Sequence, residues 1–241
     1  MDMVNSTLNV SPYGFSAVNV DSNLGATEYT LVSICQDASG SVASYKKAME
    51  QCLKEIVAAC MKSPRADNLM LRLQTFDSTL TEVHGFKPLS ECNPGDYDDC
   101  ISPGGLTALY DASENAIEAT GVYGKDLVEN DYDVNGIIVV ITDGGENNST
   151  NNLKQVKDAL AKINKDEHLE SMVSILIGVN ADAGLNQELE TFKNDVGFTQ
   201  YVGVGDADSK TLAKIAKFVS SSISSQSSAL GTGGPSQSLT F

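Results

Sequence analysis

Two apolar runs, each ending in an aspartate, do most to limit what this chain can fold into. Leu31-Val32-Ser33-Ile34-Cys35 leads into Gln36-Asp37, and Gly136-Ile137-Ile138-Val139-Val140-Ile141-Thr142 leads into Asp143-Gly144-Gly145. Short apolar runs bounded by turn residues read as strands buried on both faces, which belong in a parallel sheet covered by helices. In an open sheet of this kind, ligands bind beyond the carboxyl ends of the strands. Both aspartates therefore fall where chemistry is expected.

The residues after the first run sharpen this. Asp37-Ala38-Ser39-Gly40-Ser41 sets one carboxylate and two hydroxyls at alternate positions. Alternate residues of an extended tip point the same way, so a turn opening into a helix can gather all three around one point. Such hard oxygens suit Mg2+ or Mn2+ better than Zn2+. Alone, Asp-x-Ser-x-Ser is a weak signal, because these residues also build turns and helix caps. A second segment, Gly104-Gly105-Leu106-Thr107-Ala108-Leu109-Tyr110-Asp111, is a glycine-rich loop that delivers the Thr107 hydroxyl to the start of a helix. The Asp143 segment is the third. The alternative for each is a helix cap or a plain turn.

Taken together, the three segments resemble the von Willebrand factor type A domain, a family defined by a metal-ion-dependent adhesion site. The resemblance spans roughly Glu28 to Ser224, with the motifs in the family's order and spacing. It implies that Asp37, Ser39 and Ser41 form the first metal-binding segment, Thr107 the second and Asp143 the third. It also implies that Mg2+ or Mn2+ is held through hydroxyls and water, with one coordination position left for the Asp or Glu of a partner protein. The wording around Thr107 and Asp143 looks most like bacterial and phage members, including the tellurite-resistance type. Neutral hydroxyls reduce the ion's charge less than carboxylates would, which leaves it able to attract an acidic ligand. Without an ion, Asp37 and Asp143 would repel each other.

Alternating strand and helix signals predict an α/β fold: a doubly wound, Rossmann-like, mostly parallel six-stranded sheet with one antiparallel edge strand and helices on both faces. Strands are expected at 28–36, 68–76, 79–85, 136–142, 172–179 and 199–204. Helices are expected at 44–61, 107–120, 151–164, 184–195 and 208–224, with an acidic connector at 123–135. Residues 1–27 read as an arm, edge strand or hairpin, residues 28–224 as the domain, and residues 225–241 as a flexible Ser/Gly-rich tail.

Composition narrows the function. The 241 residues are 41% hydrophobic, with 16 basic against 32 acidic side chains and a formal net charge of −16. That balance argues against nucleic acid and anionic membranes as partners. No apolar run approaches a membrane helix, and Met1-Asp2-Met3-Val4-Asn5 does not resemble a secretory signal. Five cysteines in no framework spacing fit a reducing cytoplasm; the resemblance to bacterial and phage members implies that of a bacterial or phage-infected cell, or else a virion. Cys92 and Cys100 could pair if oxidised. Asp131-Tyr132-Asp133-Val134-Asn135-Gly136 opens like a calcium loop, but Thr142 stands where the bidentate Glu belongs. His84 and His168 lack a nucleophile at recognisable spacing.

The leading expectation is thus a non-enzymatic, metal-dependent protein-binding module whose oligomeric state the sequence leaves open. One alternative is an assembly subunit with a vestigial or subunit-filled site. A less favoured one is a metal-assisted hydrolase with Glu146 as base; Glu146 also reads simply as a solvated loop carboxylate.

Overall fold

The computed structural model describes residues 5–9, 13–20, 24–166, 168–235 and 238–241. Its strands are β1 (Asn5–Asn9), β2 (Gly14–Val18), β3 (Glu28–Asp37), β4 (Leu69–Phe76), β5 (Leu80–Pro88), β6 (Asp133–Thr142), β7 (Met172–Gly178) and β8 (Gln200–Gly203). Its helices are α1 (Lys46–Cys60), α2 (Leu109–Glu129), α3 (Leu153–Asp166), α4 (Ala183–Val196) and α5 (Ser209–Thr232).

The fold is the expected mostly parallel α/β sheet, in the order β1-β2-β5-β4-β3-β6-β7-β8. β3, β4, β6, β7 and β8 run parallel, and β5 returns antiparallel to β4. The six expected strands are β3 to β8. The sheet nevertheless has eight, because the N-terminal segment folds into the β1–β2 hairpin and covers β5. The antiparallel strand is therefore not the edge. Part of the arm read as 1–27, namely 1–4, 10–12 and 21–23, lies outside the described residues.

Each face is closed by an apolar layer. On one, Val32, Ile34, Leu71, Leu73, Ile137 and Val139 meet Met49, Leu53 and Ile56 of α1 and Leu212, Ile215 and Val219 of α5. On the other, Cys35, Ile138, Val140 and Leu176 meet Ala112 and Ala116 of α2, Val156 and Leu160 of α3, and Leu189 and Phe192 of α4. A third cluster seats β2 through Phe15, Ala17 and Val18 against Phe86, Tyr123 and Leu127.

Two boundaries differ from expectation. α2 does not stop at Thr120 but continues to Glu129, so most of the supposed acidic connector is helix. Gly121 and Gly124 sit inside it, because a Cβ there would fall 2.5 Å from Ile163 and 2.4 Å from Leu169. Close packing of α2 on its neighbours outweighs the weak helix propensity of glycine. α5 likewise runs past Ser224 to Thr232, and the expected flexible tail starts as ordered helix. Its Ser-rich turn is held by polar contacts: Gln226 Nε2 donates to Ser171 Oγ at 2.7 Å, and Asn135 Nδ2 donates to the Gln226 carbonyl at 2.8 Å. Gly233, at φ 63°, closes the helix in the left-handed conformation.

One buried charge ties the hairpin to the sheet. Arg72 is 1% exposed and donates to Glu82 Oε2 (2.8 Å), Gln74 Oε1 (3.1 Å) and Asn115 Oδ1 (2.7 Å). Glu82 Oε1 in turn accepts from the Ser16 backbone N–H (2.9 Å) and hydroxyl (2.5 Å) of β2. Removing Arg72 strands Gln74 and Asn115 away from water, while Glu82 keeps partial access to it. Arg72→Ala should cost about 3–5 kcal/mol in urea unfolding and make the N-terminal hairpin the first protease-sensitive segment.

Candidate functional site

The sheet reverses direction at β3: the chain goes to β4 on one side, then crosses through α2 to β6 on the other. Nine parallel pairs, Glu28↔Asp133 through Gln36↔Ile141, fix the β3–β6 register. The carboxyl ends of these two strands carry Asp37 and Thr142, with Asp143 next in the chain. A crevice at such a switch point is where open α/β sheets bind ligands.

Four of the five candidate residues form one hydrogen-bonded chain. Asp37, fully buried, accepts the Ser39 N–H on Oδ1 at 2.7 Å. The Ser39 and Ser41 hydroxyl oxygens lie 3.1 Å apart. Ser41 Oγ donates to Asp143 Oδ1 at 2.7 Å, a contact across 102 residues of sequence. The fifth, Thr107, is buried beside this chain: a Cβ on Gly144 would lie 3.2 Å from Thr107 Oγ1. Asn147 holds Thr107 from both sides, its Oδ1 accepting the Thr107 N–H at 2.7 Å and its own N–H donating to the Thr107 carbonyl at 3.1 Å. The first and second loops are stitched together as well, by Gly104 N–H to the Ala38 carbonyl (2.9 Å) and Gly40 N–H to the Gly105 carbonyl (3.4 Å).

The capping alternative does not describe Thr107 or Asp143, whereas the turn expected for the serines is present: Ser39 precedes, and Ser41 lies within, the 3₁₀ turn Gly40–Ser44. The residue before α2 is Ala108, which cannot make a side-chain capping bond. Asp143 lies well ahead of α3.

Three contributors escaped sequence reasoning. Thr142 Oγ1 sits 2.6 Å from Asp37 Oδ2 and 2.9 Å from the Gly144 carbonyl, and accepts the Gly144 N–H at 3.1 Å. Its position as the last residue of an apolar strand, beside the expected Asp143, was the available signal. Tyr45 donates its phenol to Asp143 Oδ2; its place four residues after Ser41 was the signal there. Asn147 was hidden in a polar loop.

Glu146 is committed elsewhere. Its Oε1 accepts the N–H groups of Asn148 (2.8 Å) and Ser149 (2.6 Å), and its Oε2 accepts the Ser149 hydroxyl (2.6 Å) and Tyr110 N–H (3.0 Å). It staples the loop to the start of α2. His84 is likewise engaged, with Nε2 3.0 Å from the Tyr97 hydroxyl and Nδ1 2.9 Å from the Gly85 carbonyl.

Burial dominates the electrostatics of the site. Burial pushes the Asp37 carboxyl up to about 6, against the hydrogen bonds from Thr142 and Ser39, and the nearby charge of Asp143 adds to the rise. Burial also raises the Tyr45 phenol, with the bond to Asp143 acting in the same direction. Two carboxylates and three hydroxyls are a donor set suited to a hard divalent ion. Among the described residues there is no group of three His, Cys, Asp or Glu able to hold a metal; the candidate set has only two carboxylates. All five cysteines are free, Cys92 and Cys100 included.

No protein-family model matches the sequence, and no curated protein matches it. Solved structures do share the fold. The PilB minor pilin from Streptococcus sanguinis superposes with a TM-score of 0.61 at 14% identity, covering 88% of this chain and 64% of that one. Proximal thread matrix protein 1 (PTMP1) from the mussel byssus gives 0.59 at 20% identity, covering 82% and 47%; another of its structures has a zinc-occupied MIDAS motif. The pilus adhesin SpaC from Lactobacillus rhamnosus GG gives 0.57 at 10% identity, covering 92% and 34%. The chain thus spans less than two thirds of the length of each of these neighbours. At such identities the likeness is one of fold.

Asp37 allows a pH test of this electrostatic picture. Between about 4 and 6 the folded protein keeps the Asp37 proton while the unfolded chain releases it. This contribution is therefore present at low pH and lost as pH rises through about 6. Asp37→Asn should stabilise the ion-free protein above pH 6, by on the order of 3 kcal/mol, and leave it unchanged near pH 3. Chemical denaturation at the two pH values measures the difference.

Proposed function

We propose that this chain is a metal-dependent protein-binding module of the von Willebrand factor type A kind. Asp37, Ser39, Ser41, Thr107 and Asp143 would hold Mg2+ or Mn2+. The bound ion would supply a positive centre able to accept an Asp or Glu side chain of a partner protein. The carrying observation is the Ser41–Asp143 hydrogen bond, which joins the first and third motif segments at one end of the sheet, with Thr107 packed beside them on Gly144.

Further support comes from chemistry and from the neighbours. Glu146 and His84 are occupied by structural hydrogen bonds, which weakens the hydrolase alternative. The fold neighbours include a pilin, a pilus adhesin and a matrix protein. No helix among the described residues is long and apolar enough to cross a membrane. Five free thiols, four of them buried, are compatible with a reducing cytoplasm. An assembly role is the second reading: among the described residues β1 ends the strand order, and an edge strand can accept a strand from another chain.

A ligand that binds only the folded state raises its melting temperature by mass action. Millimolar Mg2+ or Mn2+ should therefore raise the Tm of the wild-type protein, and Asp37→Ala or Thr107→Ala should cancel the rise without unfolding the domain. Zn2+ belongs in the same series, given the PTMP1 structure. Capture of an acidic protein partner should be reversed by EDTA and absent in Asp37→Ala. Capture that persists through both treatments would disprove the adhesive reading.

A further inference from the structure

The Asp143 carboxylate is gripped at both oxygens, and the two grips differ. Oδ1 takes the Ser41 hydroxyl, which is itself 3.1 Å from the Ser39 hydroxyl, so this oxygen faces the oxygen cluster. Oδ2 takes the Tyr45 phenol. Without the second grip the carboxylate could turn about its terminal bond and offer either oxygen, or neither, to an ion.

Tyr45 is built to hold still. It stands where the 3₁₀ turn Gly40–Ser44 gives way to α1, at φ −132° and ψ 19°. Its N–H donates to the Val42 carbonyl at 3.0 Å, and its carbonyl accepts from Ala48 (2.9 Å) and Met49 (3.0 Å). Val42 and Met49 are buried in the layer between the sheet, α1 and α5, and Tyr45 packs against that same layer. The phenol is therefore aimed by the core, while Asp143 hangs from a loop.

We propose that Tyr45 is a positioning residue for the candidate ion site: by holding Asp143 Oδ2 it keeps Oδ1 turned toward Ser39 and Ser41, and so sets the affinity for a divalent cation. This rests on the metal-binding reading above. Tyr45 is not one of the five expected ligands and touches the ion only through Asp143. Partners of this sort, bonded to the far side of a ligand, commonly control metal affinity by tenfold or more.

The test uses the full chain and Mn2+ itself, with free Mn2+ followed by electron paramagnetic resonance and Mg2+ measured by competition. Tyr45→Phe keeps the ring and removes only the hydroxyl. It should weaken Mn2+ binding about tenfold, while the ion-free Tm falls by no more than about 4 °C. A purely structural tyrosine would lower the Tm and leave affinity unchanged. Unchanged affinity overturns the proposal, and so does tighter binding, which would make Tyr45 a competitor that must leave.

A second measurement, on wild-type protein, is independent of how the variant folds. With Mg2+ bound, the Tyr45 hydroxyl proton should stay protected from exchange in NMR spectra, and its release on loading overturns the proposal. If wild-type protein binds neither Mn2+ nor Mg2+, the metal reading fails and takes this inference with it. Wild-type binding with an insensitive Tyr45→Phe variant sinks the inference alone.

Discussion

The pairing of β3 with β6 governs everything at the candidate site. In a parallel ladder a slip of one residue would turn every side chain to the opposite face of the sheet. Here both strands are buried on both faces, so a slip would carry Val32 out of the layer under α1 and α5 and Ile138 out of the layer under α2, α3 and α4, and mismatch the packing of both. The register also puts Asp37 within reach of Thr142. The apolar core thus holds a carboxylate in a place where water cannot satisfy it. The polar loops then gather around that fixed point rather than creating it.

What the sequence made legible follows from this division. β3 and β6 could be read directly, because strands buried on both faces leave unbroken apolar runs. Asp37, Ser39, Ser41 and Asp143 could be read because they follow those runs at fixed spacing, and the structure links them in a single chain of hydrogen bonds. Thr107 was legible from its glycine loop. The helix ends were not. Gly121 reads as a stop when only local propensity is weighed, and becomes part of a helix when Ile163 needs the space. The Ser-rich end of α5 reads as a tail until Gln226 finds Ser171 and Asn135. The β1–β2 hairpin was only one of several options for the arm, since Arg72 and Glu82, which secure it, come from a distant part of the chain. Contacts of this kind are tertiary and leave no periodic trace.

The site also carries a cost in stability. A buried Asp37 next to a second carboxylate is a burden to the ion-free fold, and an asparagine could satisfy the same neighbours. Sites arranged for function commonly keep such unfavourable charges, and the surrounding structure offsets the cost. Tyr45 fits the same pattern, because its phenol engages one oxygen of Asp143 and leaves the other to the serines.

The Thr142 hydroxyl has one hydrogen and two acceptors within reach, Asp37 Oδ2 and the Gly144 carbonyl. While Asp37 is ionised, the hydrogen belongs on the carboxylate. When Asp37 carries its own proton or faces a cation, the hydroxyl is free to swing to Gly144. Thr142 is thereby a rotor with two stops, and its setting reports the charge at the foot of β3 to the peptide directly after Asp143. The turn of a single O–H bond thus couples the end of β3 to the first peptide of the loop that follows β6.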